Sequence, residues 1–98
     1  MGKTRPFDAA EYLDSPEAIA AYLSEAFETN DPGFITDAIG TVARARGMSA
    51  LAKETGLSRE NLYKALSSEG HPEFSTVMKI LGSLGFELHA QPRVAKVA

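Results

Sequence analysis

Residues 48–67, MSALAKETGLSRENLYKALS, have the clearest structural pattern in the sequence. Its spacing predicts two short helices, one over 48–55 and one over 59–67, joined by a tight link. Helices that cross so closely need a small residue where they touch and, at the turn, a residue that tolerates a positive φ angle. Ala52 and Gly56 meet these two needs. The stretch therefore predicts a helix-turn-helix.

The second of these helices has an apolar and a polar side. Leu62, Ala65 and Leu66 form the apolar, inward side. The polar side carries donors and acceptors on side chains that reach base edges and phosphates in a DNA major groove. With the helix cap and a residue at the start of the first helix, the candidate DNA-binding residues are Ser49, Ser58, Arg59, Glu60, Asn61, Tyr63, Lys64 and Ser67.

We expect different roles within this set. Arg59 is the main base reader, because arginine grips a guanine edge through two hydrogen bonds. Asn61 and Tyr63 add polar contacts, and Lys64 meets a phosphate. Backbone N–H groups around Ser49, at the start of the first helix, hold a second phosphate.

A structural hairpin with a solvated polar face is the alternative, because other tight helical turns show the same Ala-x-x-x-Gly spacing. Thr55 departs from the pattern, since such motifs often place an apolar residue there, although its methyl group can still pack. The flanking helices and the basic balance of this half of the chain favour DNA binding.

The flanking sequence predicts three further helices. Ser15-Pro16 and Asp31-Pro32 are helix starts, which predict helices over 16–29 and 32–46. Ser75 caps a helix over 76–84 that stops at a glycine. The fold class is thus all-α with five helices. The predicted core consists of Ile39, Val42, Leu51, Leu62, Leu66, Ile80 and Leu81.

Beyond the last helix the apolar period changes to two, which predicts one short C-terminal β-strand over 86–91. A single strand cannot satisfy its own backbone groups, but pairing with the same strand of a second copy satisfies both. We therefore expect a homodimer with Phe86, Leu88 and Ala90 as dimerisation residues. Two copies would read two DNA half-sites about one helical turn apart.

Length and composition favour one soluble domain. The 98 residues are 44% hydrophobic, which is enough to bury a core, and the absence of cysteine excludes disulfides and thiolate chemistry. No apolar stretch reaches the roughly 18 residues of a membrane span. The start MGKTRPFDAAEYLD turns acidic where a signal peptide would turn apolar. We expect a cytoplasmic protein without membrane contact.

The net charge of −3 hides an asymmetry. Residues 1–40 carry two basic and eight acidic groups, a net charge of −6, whereas residues 41–98 carry eight basic and five acidic groups, a net charge of +3. The asymmetry suggests two surfaces with different partners; an uneven scatter of solvated charges is the alternative. We divide the chain into an N-terminal segment with the first helix, 1–30, and a DNA-binding region with the C-terminal strand, 31–98. Both belong to one fold.

Several motifs along nearly the whole chain resemble one family. They are PFD at 6–8, EYLDSPE at 11–17, ARARGM at 43–48, GLSRENLYKALS at 56–67 and GHP at 70–72. The chain resembles the addiction-module antidote proteins, short antitoxins with an Xre/Cro-type helix-turn-helix that occur in bacteria and prophages beside a RelE/ParE-superfamily (HigB-like) toxin. The resemblance implies two activities: neutralising a cognate toxin protein and binding the double-stranded operator DNA of the module's own operon.

The acidic N-terminal half fits the toxin contact that the resemblance implies. Toxins of that type tend to be basic, so an acidic surface would steer their association. The candidate toxin-contact residues are Phe7, Asp8, Glu11, Tyr12 and Leu13. A helix face that merely keeps the protein soluble is the alternative.

The sequence gives little support for a metal site or an enzyme active site. His71 and His89 lie 18 positions apart without a second ligand of suitable spacing, so we expect no metal. Glu69 and Glu73 flank His71 in an open turn where nothing suggests a pocket. No nucleophile elbow or phosphate loop is present in the sequence, so we expect neither an enzyme nor a cofactor. Besides the antitoxin, two functions stay open: a stand-alone prophage-type repressor without a toxin, and a purely protein-binding helical adaptor.

Overall fold

The structure, a computed structural model, describes residues 13–94, which contain five helices and confirm the all-helical prediction. They are α1 (Pro16–Glu28), α2 (Pro32–Arg46), α3 (Met48–Thr55), α4 (Arg59–Ala65) and α5 (Phe74–Ser83). Within this range, every helix is too short or too polar to cross a membrane.

The first two helices begin where their capping residues predict. The Ser15 hydroxyl accepts a hydrogen bond from the Ala18 N–H at 3.1 Å, and a proline follows at the first helical position. The Asp31 carboxylate accepts from the N–H groups of Gly33 and Phe34, at 3.1 and 3.3 Å. Each cap satisfies backbone donors that a helix cannot satisfy itself.

One core joins all five helices. α2 packs against α1 and α3, and α3 contacts α4 and α5. All seven residues predicted for the core are buried, and α1 adds Ile19, Leu23 and Ala26. α2 and the end of α4 come so close at Gly40 that a Cβ atom there would lie 2.6 Å from the carbonyl oxygen of Leu66. Only glycine fits this contact without a shift of the backbone.

Four helix boundaries differ from the prediction: α1 ends at Glu28 and α5 at Ser83, each one residue early, and the larger differences are at the end of α4 and the start of α5. α4 ends at Ala65 and does not reach Ser67, because the Ser67 hydroxyl donates to the Lys64 carbonyl at 3.1 Å and competes with a further helical turn. α5 begins at Phe74, before the predicted cap Ser75. Its first backbone bond runs from the Val77 N–H to the Glu73 carbonyl at 3.0 Å, so Ser75 lies inside the first turn.

The predicted strand over 86–91 is wrong for the single chain, since residues 13–94 contain no β-strand. The N–H of Phe86 donates to the Leu81 carbonyl at 2.9 Å, and that of Gly85 donates to the Gly82 carbonyl at 3.0 Å. With Gly85 at φ +91°, these two bonds end α5 in a Schellman motif, and Phe86 packs against the core. A strand needs a neighbouring strand for its backbone groups, and the described part of the chain offers none.

Candidate nucleic-acid interface

The turn between α3 and α4 has the geometry that the sequence predicts. Gly56 has a left-handed backbone with φ +80°, and its N–H donates to the Ala52 carbonyl at 2.9 Å. Thr55, which departs from the apolar pattern, is buried; its hydroxyl donates to the Leu51 carbonyl at 2.8 Å and accepts from the Leu57 N–H at 3.3 Å. The hydroxyl thus ties the end of α3 to the first residues after the turn.

α4 packs against the core through two buried leucines, and its polar side chains are exposed. Leu62 is fully buried and Leu66 is 2% exposed. The other polar residues of α4, Arg59, Glu60, Asn61, Tyr63 and Lys64, are all exposed, and Ser67 is exposed just beyond the helix end. The buried side anchors the helix, so the exposed side chains form one surface on a rigid support.

Most polar side chains of this surface make no hydrogen bonds within the described part of the chain. The Ser58 hydroxyl accepts from the Asn61 N–H at 3.0 Å and caps α4. The side chains of Arg59, Glu60, Asn61 and Lys64 make no hydrogen bond or ion pair with other described residues. Their donors and acceptors can therefore meet a partner without breaking contacts inside the described part of the chain.

Arg59 and Tyr63 form a pair that sequence reasoning missed. The guanidinium carbon lies 5.9 Å from the centre of the Tyr63 ring, one helical turn away, which is the distance of a cation–π contact. The two residues have the i, i+4 spacing that places side chains together on a helix, and this spacing was the available signal. Tyr63 therefore limits the positions that the Arg59 side chain adopts.

At the start of α3 the predicted phosphate contact is made by backbone N–H groups and not by side chains. Gly47 stands at the cap position with φ +109°, and no side chain among residues 13–94 accepts from the first backbone N–H groups of α3. Ser49 is exposed in this first turn. Uncapped N–H groups at the positive end of a helix dipole favour an anion such as phosphate.

The turn after α4 also differs from the expectation that no pocket exists there. Glu69, His71 and Pro72 line an open hollow of about 520 Å³ together with Asn61 and Lys64 of α4. The hollow forms because the chain turns back onto the end of α4 at Gly70, where a Cβ atom would lie 2.6 Å from the Lys64 carbonyl oxygen. It extends the polar surface of α4 towards the 70–72 loop.

The other candidate residues lie apart from α4. Phe7, Asp8, Glu11 and Tyr12 fall outside the described residues. Leu13 is half-buried and packs against the core. Of the predicted dimerisation residues, Phe86 is half-buried in the α5 cap, whereas Leu88 is 39% exposed and Ala90 is exposed. The structure therefore leaves Leu88 and Ala90 free on the described surface and uses Phe86 within the chain.

A family model described as "Probable addiction module antidote protein" matches residues 3–92, almost the whole chain. The chain belongs to this family. A Haemophilus influenzae Rd protein, whose printed description is "Uncharacterized protein", is 46% identical over 87 residues, covering 89% of this chain and 90% of the relative. No solved structure matches the chain. Membership of the antidote family implies a cognate toxin as partner.

Proposed function

We propose that this antidote neutralises a RelE/ParE-type toxin and represses its own operon through an Xre/Cro-type helix-turn-helix formed by α3 and α4. The main support for DNA binding is the exposed polar surface of α4, a helix that the fully buried Leu62 anchors in the core. A helix of this kind presents its side chains to base edges when it lies in the major groove.

The exposed residues divide into base readers and phosphate contacts. Arg59 reads a guanine, and the Tyr63 ring restrains its guanidinium, whose central carbon lies 5.9 Å from the ring centre. Asn61 and Glu60 contact neighbouring bases. Lys64 lies on the same exposed side and binds a phosphate.

Further phosphate contacts flank α4. Ser58 and Ser67 contribute hydroxyl groups at the two ends of the helix, and the uncapped N–H groups near Ser49 bind the DNA backbone at the start of α3. These groups set the position of the protein on the duplex, whereas the base readers set the sequence that it selects.

A homodimer completes the DNA-binding proposal. One α4 has only seven residues and reaches few base pairs, whereas two copies read two half-sites about one helical turn apart. Contact through Leu88 and Ala90 stays a prediction, and it is compatible with the exposure of both residues.

The test combines two assays of the full chain. Fluorescence anisotropy at fixed salt measures binding to DNA from upstream of the chain's own gene against a scrambled duplex. Growth of cells that co-express any small basic protein encoded beside that gene measures neutralisation. The antitoxin requires specific DNA binding and rescue of growth. DNA binding without rescue indicates a stand-alone repressor, and rescue without DNA binding indicates a protein-binding adaptor.

A further inference from the structure

An apolar groove of about 450 Å³ lies on the surface between the α1–α2 junction, α5 and the chain after α5. Its apolar lining includes Phe27, Ile35, Ile39, Val77, Leu81 and Leu88. Two lining residues are well exposed, since Phe74 is 69% and Leu88 39% accessible. The 70–72 loop borders both this groove and the hollow beside α4. The groove thus exposes apolar surface next to the proposed DNA-binding side without being part of it.

The charged residues that flank the lining of this groove along the chain, here called its rim, are acidic. Six exposed carboxylates are direct chain neighbours of lining residues, and no lysine or arginine is such a neighbour. The six are Glu28, Asp31, Asp37, Glu69, Glu73 and Glu87. Rim charges of one sign attract a partner of the opposite sign and repel one of the same sign.

This charge pattern decides between occupants. A second copy docking groove to groove across a two-fold axis would bring one acidic rim against another, because such an interface uses the same patch on both subunits. DNA would meet the same repulsion through its phosphates. A segment with apolar side chains flanked by lysine or arginine is complementary to both the apolar lining and the acidic rim.

We propose that this groove binds a basic amphipathic segment of the cognate toxin, an inference that rests on the toxin-binding part of the proposed function. Apolar side chains of the segment pack against Phe27, Phe74 and Val77, as those of an amphipathic helix do in an apolar groove. Its basic residues meet Glu28 and Asp31 on one side and Glu73 on the other. Toxin contact through this groove is separate from the predicted contact at residues 7–13.

The first experiment tests the apolar lining. The binding partner is the purified protein encoded by the small basic reading frame beside the gene, and calorimetry measures its affinity for the full-length antidote. Phe74→Ser should weaken binding by roughly thirtyfold, as truncation of a central aromatic anchor does. The matched control is Phe34→Ser, because Phe34 is 54% exposed but does not line the groove. This control should change the affinity by less than about twofold.

The second experiment tests the rim. Glu28→Lys combined with Glu73→Lys should slow toxin association and reduce its dependence on salt, because rim charges act mainly on the association rate. Glu25→Lys is the control, since Glu25 is exposed and at 100° per residue lies almost opposite Phe27 on α1. The control should leave the association rate close to that of the parent.

The outcomes separate this inference from the proposed function. Thermal melts and operator binding equal to those of the parent show that the variants are folded. If the toxin binds the parent and the Phe74→Ser variant equally, the groove inference is wrong and the proposed function stands. If the toxin does not bind the parent, or the reading frame is absent, toxin neutralisation and the groove inference both fail. Loss of a dimer in Phe74→Ser with unchanged toxin affinity would make the groove a self-association surface and overturn the inference.

Discussion

The α3–α4 pair and the segment that follows α5 satisfy their backbones in different ways. In α3 and α4 each helix makes its own hydrogen bonds, and Leu51, Leu62 and Leu66 are 3% exposed or less. After α5 the Schellman motif engages Gly85 and Phe86, but residues 87–94 make no backbone hydrogen bond with the described part of the chain, and Leu88 is 39% and Val94 85% exposed. The α3–α4 pair is therefore complete within one chain. The segment 87–94 has apolar groups that a partner can still cover.

The substitution Leu62→Ala should give the largest loss of stability. Leu62 is fully buried, so its truncation removes apolar contacts and leaves a cavity, which costs about 2 to 5 kcal/mol of unfolding free energy. Leu88→Ala in the exposed segment should cost less than about 1 kcal/mol. Chemical denaturation measures both. A cost below about 1 kcal/mol for Leu62→Ala would mean that α4 buries a different face.

The next test concerns the contact between α2 and the end of α4. Gly40→Ala places a Cβ atom 2.6 Å from the Leu66 carbonyl oxygen, so the backbone must move, at a cost of about 1 to 3 kcal/mol. Gly82→Ala on α5 is the matched control, because its Cβ atom meets nothing within 4 Å. This control should gain about 0.4 to 1 kcal/mol from the lower entropy of the unfolded chain. Equal melting temperatures for the two variants would contradict the close approach at Gly40.

Local signals account for most of what the sequence predicts correctly. Ser15 and Asp31 cap helices through bonds to residues two or three positions away, and Gly56 sets its turn through its own backbone. Leu62 and Leu66 are predicted from spacing on a single helix. Each of these features depends on a few adjacent residues, so it can be predicted from the sequence of that segment alone.

The features that escape prediction depend on distant partners. The groove combines α1, α2, α5 and the chain after α5, and no single segment carries its pattern. The strand over 86–91 follows from a real alternation of apolar residues, but the alternation does not say whether the chain contains a second strand to pair with. Phe86 shows the competition, because the end of α5 uses its N–H and the core takes its side chain.

A test of the exposed side of α4 compares Arg59→Ala with Lys64→Ala. Loss of a bidentate contact to guanine should reduce discrimination at one base pair by about 1 to 3 kcal/mol. Loss of a phosphate contact should weaken binding to all sequences alike and reduce the salt slope by about 1. Anisotropy with single-base operator variants at several salt concentrations measures both. Unchanged base discrimination by the Arg59→Ala variant would remove Arg59 from the reading role.

The smallest expected change in stability comes from Leu88→Pro, which tests whether the segment after α5 acts only between chains. The N–H of Leu88 donates no backbone hydrogen bond within the described residues, and its side chain is 39% exposed. Proline should therefore change the unfolding free energy by no more than about 0.5 kcal/mol. In the proposed dimer the same change removes a backbone donor and an apolar contact, so light scattering should report the monomer mass. Leu88→Ala keeps the N–H and separates the two contributions. A folded Leu88→Pro variant with the mass of the parent would show that two copies do not meet at Leu88 and Ala90.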